Sequence, residues 1–123
     1  MSRILWVWGP VVALMAGLFM MSSISEPPQV PGDMSDFSAH AITYSVLGGL
    51  VLRAFAGARW LGVTVVRSAK SLTISAIYGL SDEFHQGFVP GRVPDVRDLA
   101  ADVLGALVGV LLVWACSIVL SNR

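Results

Sequence analysis

The stretch 81–102, SDEFHQGFVPGRVPDVRDLAAD, holds Asp82, Glu83, Arg92, Asp95, Arg97, Asp98 and Asp102 together with His85 and Gln86. On either side, over 72–80 and 103–120, the chain turns apolar. The polar groups therefore sit where two hydrophobic helices meet, joined by a tight bend at Val89-Pro90-Gly91-Arg92, where proline presets the first corner and glycine permits the second. Ionisable side chains between hydrophobic helices are costly and mark a functional site by default. This reading decides the fold: an all-α, four-helix bundle integral to a membrane, with a polar cluster at its extracytoplasmic end.

Composition agrees. Hydrophobic residues make up 55% of the 123-residue chain, charged residues only 13%, and the mean hydropathy is +0.74, outside the range of ordinary soluble domains. The formal net charge is zero, so no basic field exists to attract nucleic acid, and that partner class is set aside. The single cysteine, Cys116, has no disulfide partner and is expected to be a buried small hydrophobe.

Outward from the central stretch, helices are expected at about 4–21, 37–60, 71–89 and 96–120, in one domain over 1–123. The first run is long enough to cross a bilayer core. Small residues at Ser23 and Ser25 also suit a signal peptidase, but the run exceeds a signal's usual apolar core and carries Trp6 and Trp8, so it reads as retained. Prolines and glycine at Pro27, Pro28, Pro31 and Gly32 make a loop of 22–36. The third helix is the least apolar and is easily missed by hydropathy.

Charge placement sets the orientation. Four spans put Arg3, Arg53, Arg59, Arg67, Lys70 and Arg123 on one side, six of the eight basic residues. By the positive-inside rule that side, with both termini, is cytoplasmic. All eight acids then fall on the outer side, which insertion rules do not require.

Helical spacing shows which polar groups can share a surface. Asp36, His40 and Tyr44 form one stripe; Tyr78, Asp82 and Gln86 form a second, beside Glu83. Asp98 and Asp102 share a face of the fourth helix with Gly105 and Gly109, and small residues there let another helix approach closely. That face is expected to accept alanine and reject leucine. At about 1.5 Å per residue from Lys70, Glu83 lies roughly 20 Å up its helix, where a charge needs a partner. Arg92 is the nearest candidate cation.

Asp82-Glu83-Phe84-His85-Gln86, then Pro90-Gly91-Arg92, then Asp98 with Gly105-Ala106 and Gly109, resemble the signature of the VanZ-like family. Asp36, His40 and Tyr44 resemble its second-helix motif. Two positions depart from the pattern: Phe37, where many members carry lysine, and Asp102, where asparagine is usual. The resemblance implies a bacterial cell-envelope membrane protein, in a family named for a component of glycopeptide-resistance clusters associated with teicoplanin resistance. It implies no particular reaction. Carried over residue by residue, it points to Asp36, His40, Tyr44, Glu83, Gln86, Arg92 and Asp98 as ligand-binding positions.

Three functions fit these residues. One is binding of an amphiphile with an anionic head, such as an envelope lipid or a lipid-linked wall precursor, with Arg92 taking the anion. Another is an enzyme using Glu83 and Asp98 or His40 as acid and base. The third is a helper subunit whose cluster serves assembly. Metal-binding, nucleophile-elbow, phosphate-loop and dinucleotide motifs are all missing from the sequence, so neither metal nor cofactor is expected.

Overall fold

The computed structural model describes residues 2–26, 32 and 36–122. Among them there are four long helices and no strand: α1 Arg3–Ser22, α2 Asp36–Phe55, α3 Val65–Gln86 and α4 Val96–Leu120, with a 3-10 turn at Trp60–Gly62. Side-chain oxygens of Ser2, Thr64 and Asp95 accept the backbone N–H groups of Leu5, Arg67 and Arg97. They satisfy donors that a helix start otherwise leaves unpaired. α1 continues through Pro10 as one helix.

The boundaries differ from expectation in the middle of the chain. α2 closes at Phe55 because Gly57 and Ala58 both turn left-handed, with φ of 64° and 59°, and the Ala58 N–H returns to the Arg53 carbonyl at 2.9 Å. Thr64 caps α3 early enough to start it at Val65 rather than at 71. Arg67 and Lys70, which the expected boundaries left between helices, therefore belong to the first turns of α3. The α3–α4 bend is the expected one: Gly91 has a φ of 81° and Arg92 N–H bonds the Val89 carbonyl at 3.1 Å.

α2 and α4 share the most extensive interface, and α3 packs on both. α1 lies against α2, adding Val7 and Val11 to a core with Tyr44, Leu47, Val51 and Ala54. The remaining packing is inverted relative to a water-soluble bundle. α3 buries Ser71, Ser75, Gly79, Asp82, Glu83 and Gln86, while Ile77, Leu80 and Phe84 face outward. α4 likewise turns Leu107, Val108, Leu111 and Leu112 outward. Apolar exposure on this scale is foreign to a soluble monomer. Among the described residues, two helices, α1 and α4, are long and apolar enough to cross a membrane.

Basic groups gather at one end. Arg3 Nη2 donates to the Gly57 carbonyl, Arg53 Nη1 donates to the Trp6 carbonyl with its guanidinium 5.3 Å from the Trp6 ring centre, and Arg67 Nη1 donates to the Gly62 carbonyl. Arg123 lies outside the described residues. Cys116 is exposed rather than buried. Val110 and Ser117, seven residues apart on one face, carry the inward side there, and Cys116 lies about 100° away from Ser117.

The α2–α4 contact is backbone on backbone. A Cβ on Gly48 would lie 2.6 Å from the Ala106 carbonyl oxygen, and a Cβ on Gly105 or Gly109 would run into the carbonyl of Ala41 or Ser45. This overturns the expectation that alanine is accepted on that face, since even one methyl forces the helices apart. Gly105→Ala and Gly109→Ala should each lower thermal stability in detergent, by about 1–3 kcal/mol as overpacking does. Gly17→Ala, with nothing within 4 Å, should be neutral. Equal melting of all three variants would show that the helices do not meet there.

Candidate functional site

The parallel run of α2 beside α4 pairs Ala41 with Gly105 and Ser45 with Gly109, so His40 is carried to the level of Asp102. His40 Nδ1–H donates to Asp102 Oδ1 at 2.7 Å, the direction required because a carboxylate only accepts. The opposite ring nitrogen, Nε2, lies 3.9 Å from Asp98 Oδ2. Glu83 approaches from α3, and one ligand-type atom from each of His40, Glu83 and Asp98 lies within 4.8 Å of the other two. The Asp102 side chain is 1% exposed, those of His40 and Asp98 about a quarter.

Glu83 has two distinct oxygens. Oε2 accepts the backbone N–H of Asp95 at 3.1 Å, tying the end of α3 to the start of α4. Oε1 is buried without a hydrogen-bond partner, as are Asp102 Oδ2, Asp82 Oδ1 and the Tyr44 hydroxyl. Among the described residues, the ion-pairing contacts are the two that His40 makes with Asp98 and Asp102. Several carboxylates thus share an interior with one imidazole and no guanidinium or ammonium ion pair.

Arg92 does not pair with Glu83. Its Nε donates to the Ile24 carbonyl at 2.8 Å and its Nη2 to the Met21 carbonyl at 2.9 Å. These are carbonyls at and just beyond the C-terminus of α1, where a cation is favoured by the helix dipole. The Pro90-Gly91 bend does fold Arg92 back over helix ends, but the end it meets is that of α1. His85 joins the same seam. It stacks on Phe19, and its Nε2–H donates to Ser23 Oγ at 2.9 Å, since the Ser23 hydroxyl proton is used on the Phe19 carbonyl. Tyr78 donates to the Met15 carbonyl.

Beyond the cluster lies a cavity of about 530 Å³ lined by Asp36, Gln86, Arg92, Arg97 and Asp98. A smaller one of about 230 Å³, which shares Asp36, Gln86 and Arg92 with it, is lined by His40, Tyr44 and Asp82. The positions expected from the sequence therefore divide: His40, Glu83 and Asp98 converge; Asp36, Gln86 and Arg92 line the adjoining cavity; Tyr44 lies deeper. Asp82 and Asp102 were not among those positions, yet they are two of the most buried charges, 6% and 1% exposed, with the Ser22 hydroxyl beside Asp82. The four-residue step from Asp98 to Asp102, and from Tyr78 through Asp82 to Gln86, was the available signal.

The model of the VanZ/LLP1 family matches residues 20–119. The chain belongs to the VanZ/LLP1 family. That match spans α2, α3 and α4, the whole carboxylate–imidazole cluster and the end of α1 that Arg92 caps. No curated protein and no solved structure matches the chain. Membership and the two apolar helices together point to a membrane protein.

Since Arg92 serves the end of α1, Arg92→Gln should destabilise the bundle by about 1.5–3 kcal/mol, the range for hydrogen bonds to a charged group. The loss should add to that of Glu83→Gln with less than about 0.5 kcal/mol of coupling, as for groups without direct contact. A double-mutant cycle on detergent unfolding measures it. A coupling of several kcal/mol would mean that the two side chains pair after all.

Proposed function

We propose that this VanZ/LLP1 member is a four-span protein of the bacterial cytoplasmic membrane, with both termini cytoplasmic. Its outer-end pocket binds the anionic head of an amphiphile, an envelope lipid or a lipid-linked wall precursor. The observation that carries the reading is the junction of two unlike cavities. The polar one is lined by Arg97 and by Arg92, whose Nε and Nη2 already serve the α1 carbonyls, so Arg97 is the cation offered to an anion. Around Asp95 it adjoins an outward-facing apolar groove of about 430 Å³ lined by Leu80, Phe84, Phe88, Val96 and Leu99, with Glu83 among its walls. An amphiphile needs both: charge and hydrogen bonds for the head, and an open apolar track to the bilayer for the chain. A role in glycopeptide resistance, as the family name suggests, is consistent with a ligand drawn from the envelope.

Orientation and inverted packing support the membrane part of this reading. Polar side chains turned inward and apolar ones outward are what hydrocarbon surroundings select. In a Cys116→Ser background, Val93→Cys should react with an impermeant thiol reagent on intact cells and Leu61→Cys should not; both positions are well exposed.

A specific observation also favours the acid–base reading. Asp102 holds Nδ1 of His40 while Nε2 lies 3.9 Å from Asp98, with Glu83 close by, the arrangement by which a carboxylate orients a general base. Native mass spectrometry of the purified protein tests binding. The wild type should retain an anionic amphiphile enriched over the bulk membrane, and Arg97→Gln should retain several-fold less. Retained lipid matching the bulk composition in both proteins would reject the binding reading. Conversion of the retained amphiphile by wild type but not by Glu83→Gln would make the site catalytic.

A further inference from the structure

The cluster has an unbalanced composition that amphiphile binding does not explain. Asp82, Glu83, Asp98 and Asp102 crowd around one imidazole, and Arg92, the nearest cation in sequence, is committed to the carbonyls of Met21 and Ile24. Uncompensated carboxylates in a low-dielectric interior cost several kcal/mol each. Moreover, Glu83 is only 6% exposed, yet its Oε1 has no hydrogen-bond partner, although Oε2 is well used by Asp95. A buried unpartnered acceptor on a residue that also groups with a histidine and a second carboxylate is suited to a cation.

We infer that His40, Glu83 and Asp98 form a binding site for a divalent transition-metal ion of the Zn²⁺ or Mn²⁺ type, with Asp102 orienting His40. This departs from the motif-based expectation that no metal is held, because the ligands come from three helices and their spacing along the chain shows nothing. Geometry carries the inference. The three ligand atoms lie within 4.8 Å of one another, with His40 Nε2 and Asp98 Oδ2 3.9 Å apart. Donors about 2.1 Å from a common ion sit roughly 3–4 Å apart, so closure needs movements under about 1 Å. Asp102 accepts from Nδ1 at 2.7 Å, which fixes the tautomer that leaves the Nε2 lone pair for the metal.

Donor chemistry selects the ion. One imidazole disfavours Mg²⁺ and Ca²⁺, which prefer all-oxygen sites, and carboxylates without thiolate disfavour soft ions. Cys116 stands far along α4 from Asp102 and supplies no sulfur. Three protein ligands would leave positions on the ion free for another group, and one of them, Asp98, also lines the cavity shared by Arg92 and Arg97. The site does not depend on the amphiphile reading, and it would give an acidic cluster a means of accepting an anionic head.

The test uses full-length protein in detergent, stripped with chelator and titrated separately with Zn²⁺, Mn²⁺ and Mg²⁺. Calorimetry and elemental analysis should give one Zn²⁺ or Mn²⁺ per chain, with Mg²⁺ at least about tenfold weaker. Pulsed electron paramagnetic resonance of the Mn²⁺ form should show coupling to a single imidazole nitrogen, absent in His40→Gln and retained in His85→Gln. Asp102→Asn should lower affinity about 10- to 100-fold, as loss of a group behind a metal-bound histidine does. Wild-type protein that takes up no stoichiometric ion overturns the inference without any variant having to fold. So does an ion without nitrogen coupling, coupling lost in His85→Gln, or affinity unchanged in Glu83→Gln.

Discussion

The close approach of α2 to α4 is the constraint on which the rest depends. Gly48, Gly105 and Gly109 remove the side chains that would hold these helices apart, and the carbonyls of Ala41, Ser45 and Ala106 fill the space. In hydrocarbon there is little hydrophobic force between helices, so association relies on such packing and on hydrogen bonds. The hydrogen bond it permits is His40 to Asp102, one turn of α4 from the Ala41–Gly105 contact. Gly79 extends the same logic to α3, where a Cβ would lie 3.1 Å from Asp102 and 3.2 Å from the Tyr44 ring. Three helices converge on one buried carboxylate because each presents a small residue where it must pass.

From that convergence follows the division of labour among the charged groups. Arg92 and His85 hold the end of α1, so the one helix with the least contact to the others is fastened near the pocket mouth. Glu83 spends one oxygen fastening α4 to α3 and keeps the other inside. The residues that fasten the helix ends and the residues of the buried cluster thus belong to the same short polar stretch.

Much of this was legible in the sequence. The bounds of α4 matched the expected 96–120, the Pro90-Gly91 bend formed as its residues dictate, and the helical spacings grouped His40 with Tyr44 and Asp98 with Asp102, though not with each other. The VanZ resemblance, carried by the same residues, agrees with the family match. Other features depended on contacts between segments distant in the chain. Arg92 had several acids nearby in sequence, but its partners are carbonyls 68 and 71 residues away. The severity of the Gly105 and Gly109 contacts depends on helix separation, which spacing does not reveal. Asp102 looked like a surplus charge until α2 delivered a histidine to it. The early start of α3 came from a single cap, Thr64, that hydropathy overlooks.

The α2–α4 contact seats His40 on a buried carboxylate. The chain has only two histidines, so solid-state nuclear magnetic resonance with ¹⁵N-histidine and ¹³C-carboxyl aspartate in lipid bilayers tests it directly. Dipolar recoupling should place one histidine Nδ1 within about 4 Å of an aspartate carboxyl carbon, the separation implied by an ordinary hydrogen bond. That signal should vanish in His40→Gln, while the His85 nitrogens show no comparable contact. If no histidine nitrogen senses a carboxyl carbon at that distance, or if the coupled ring is His85, then His40 is not seated on Asp102.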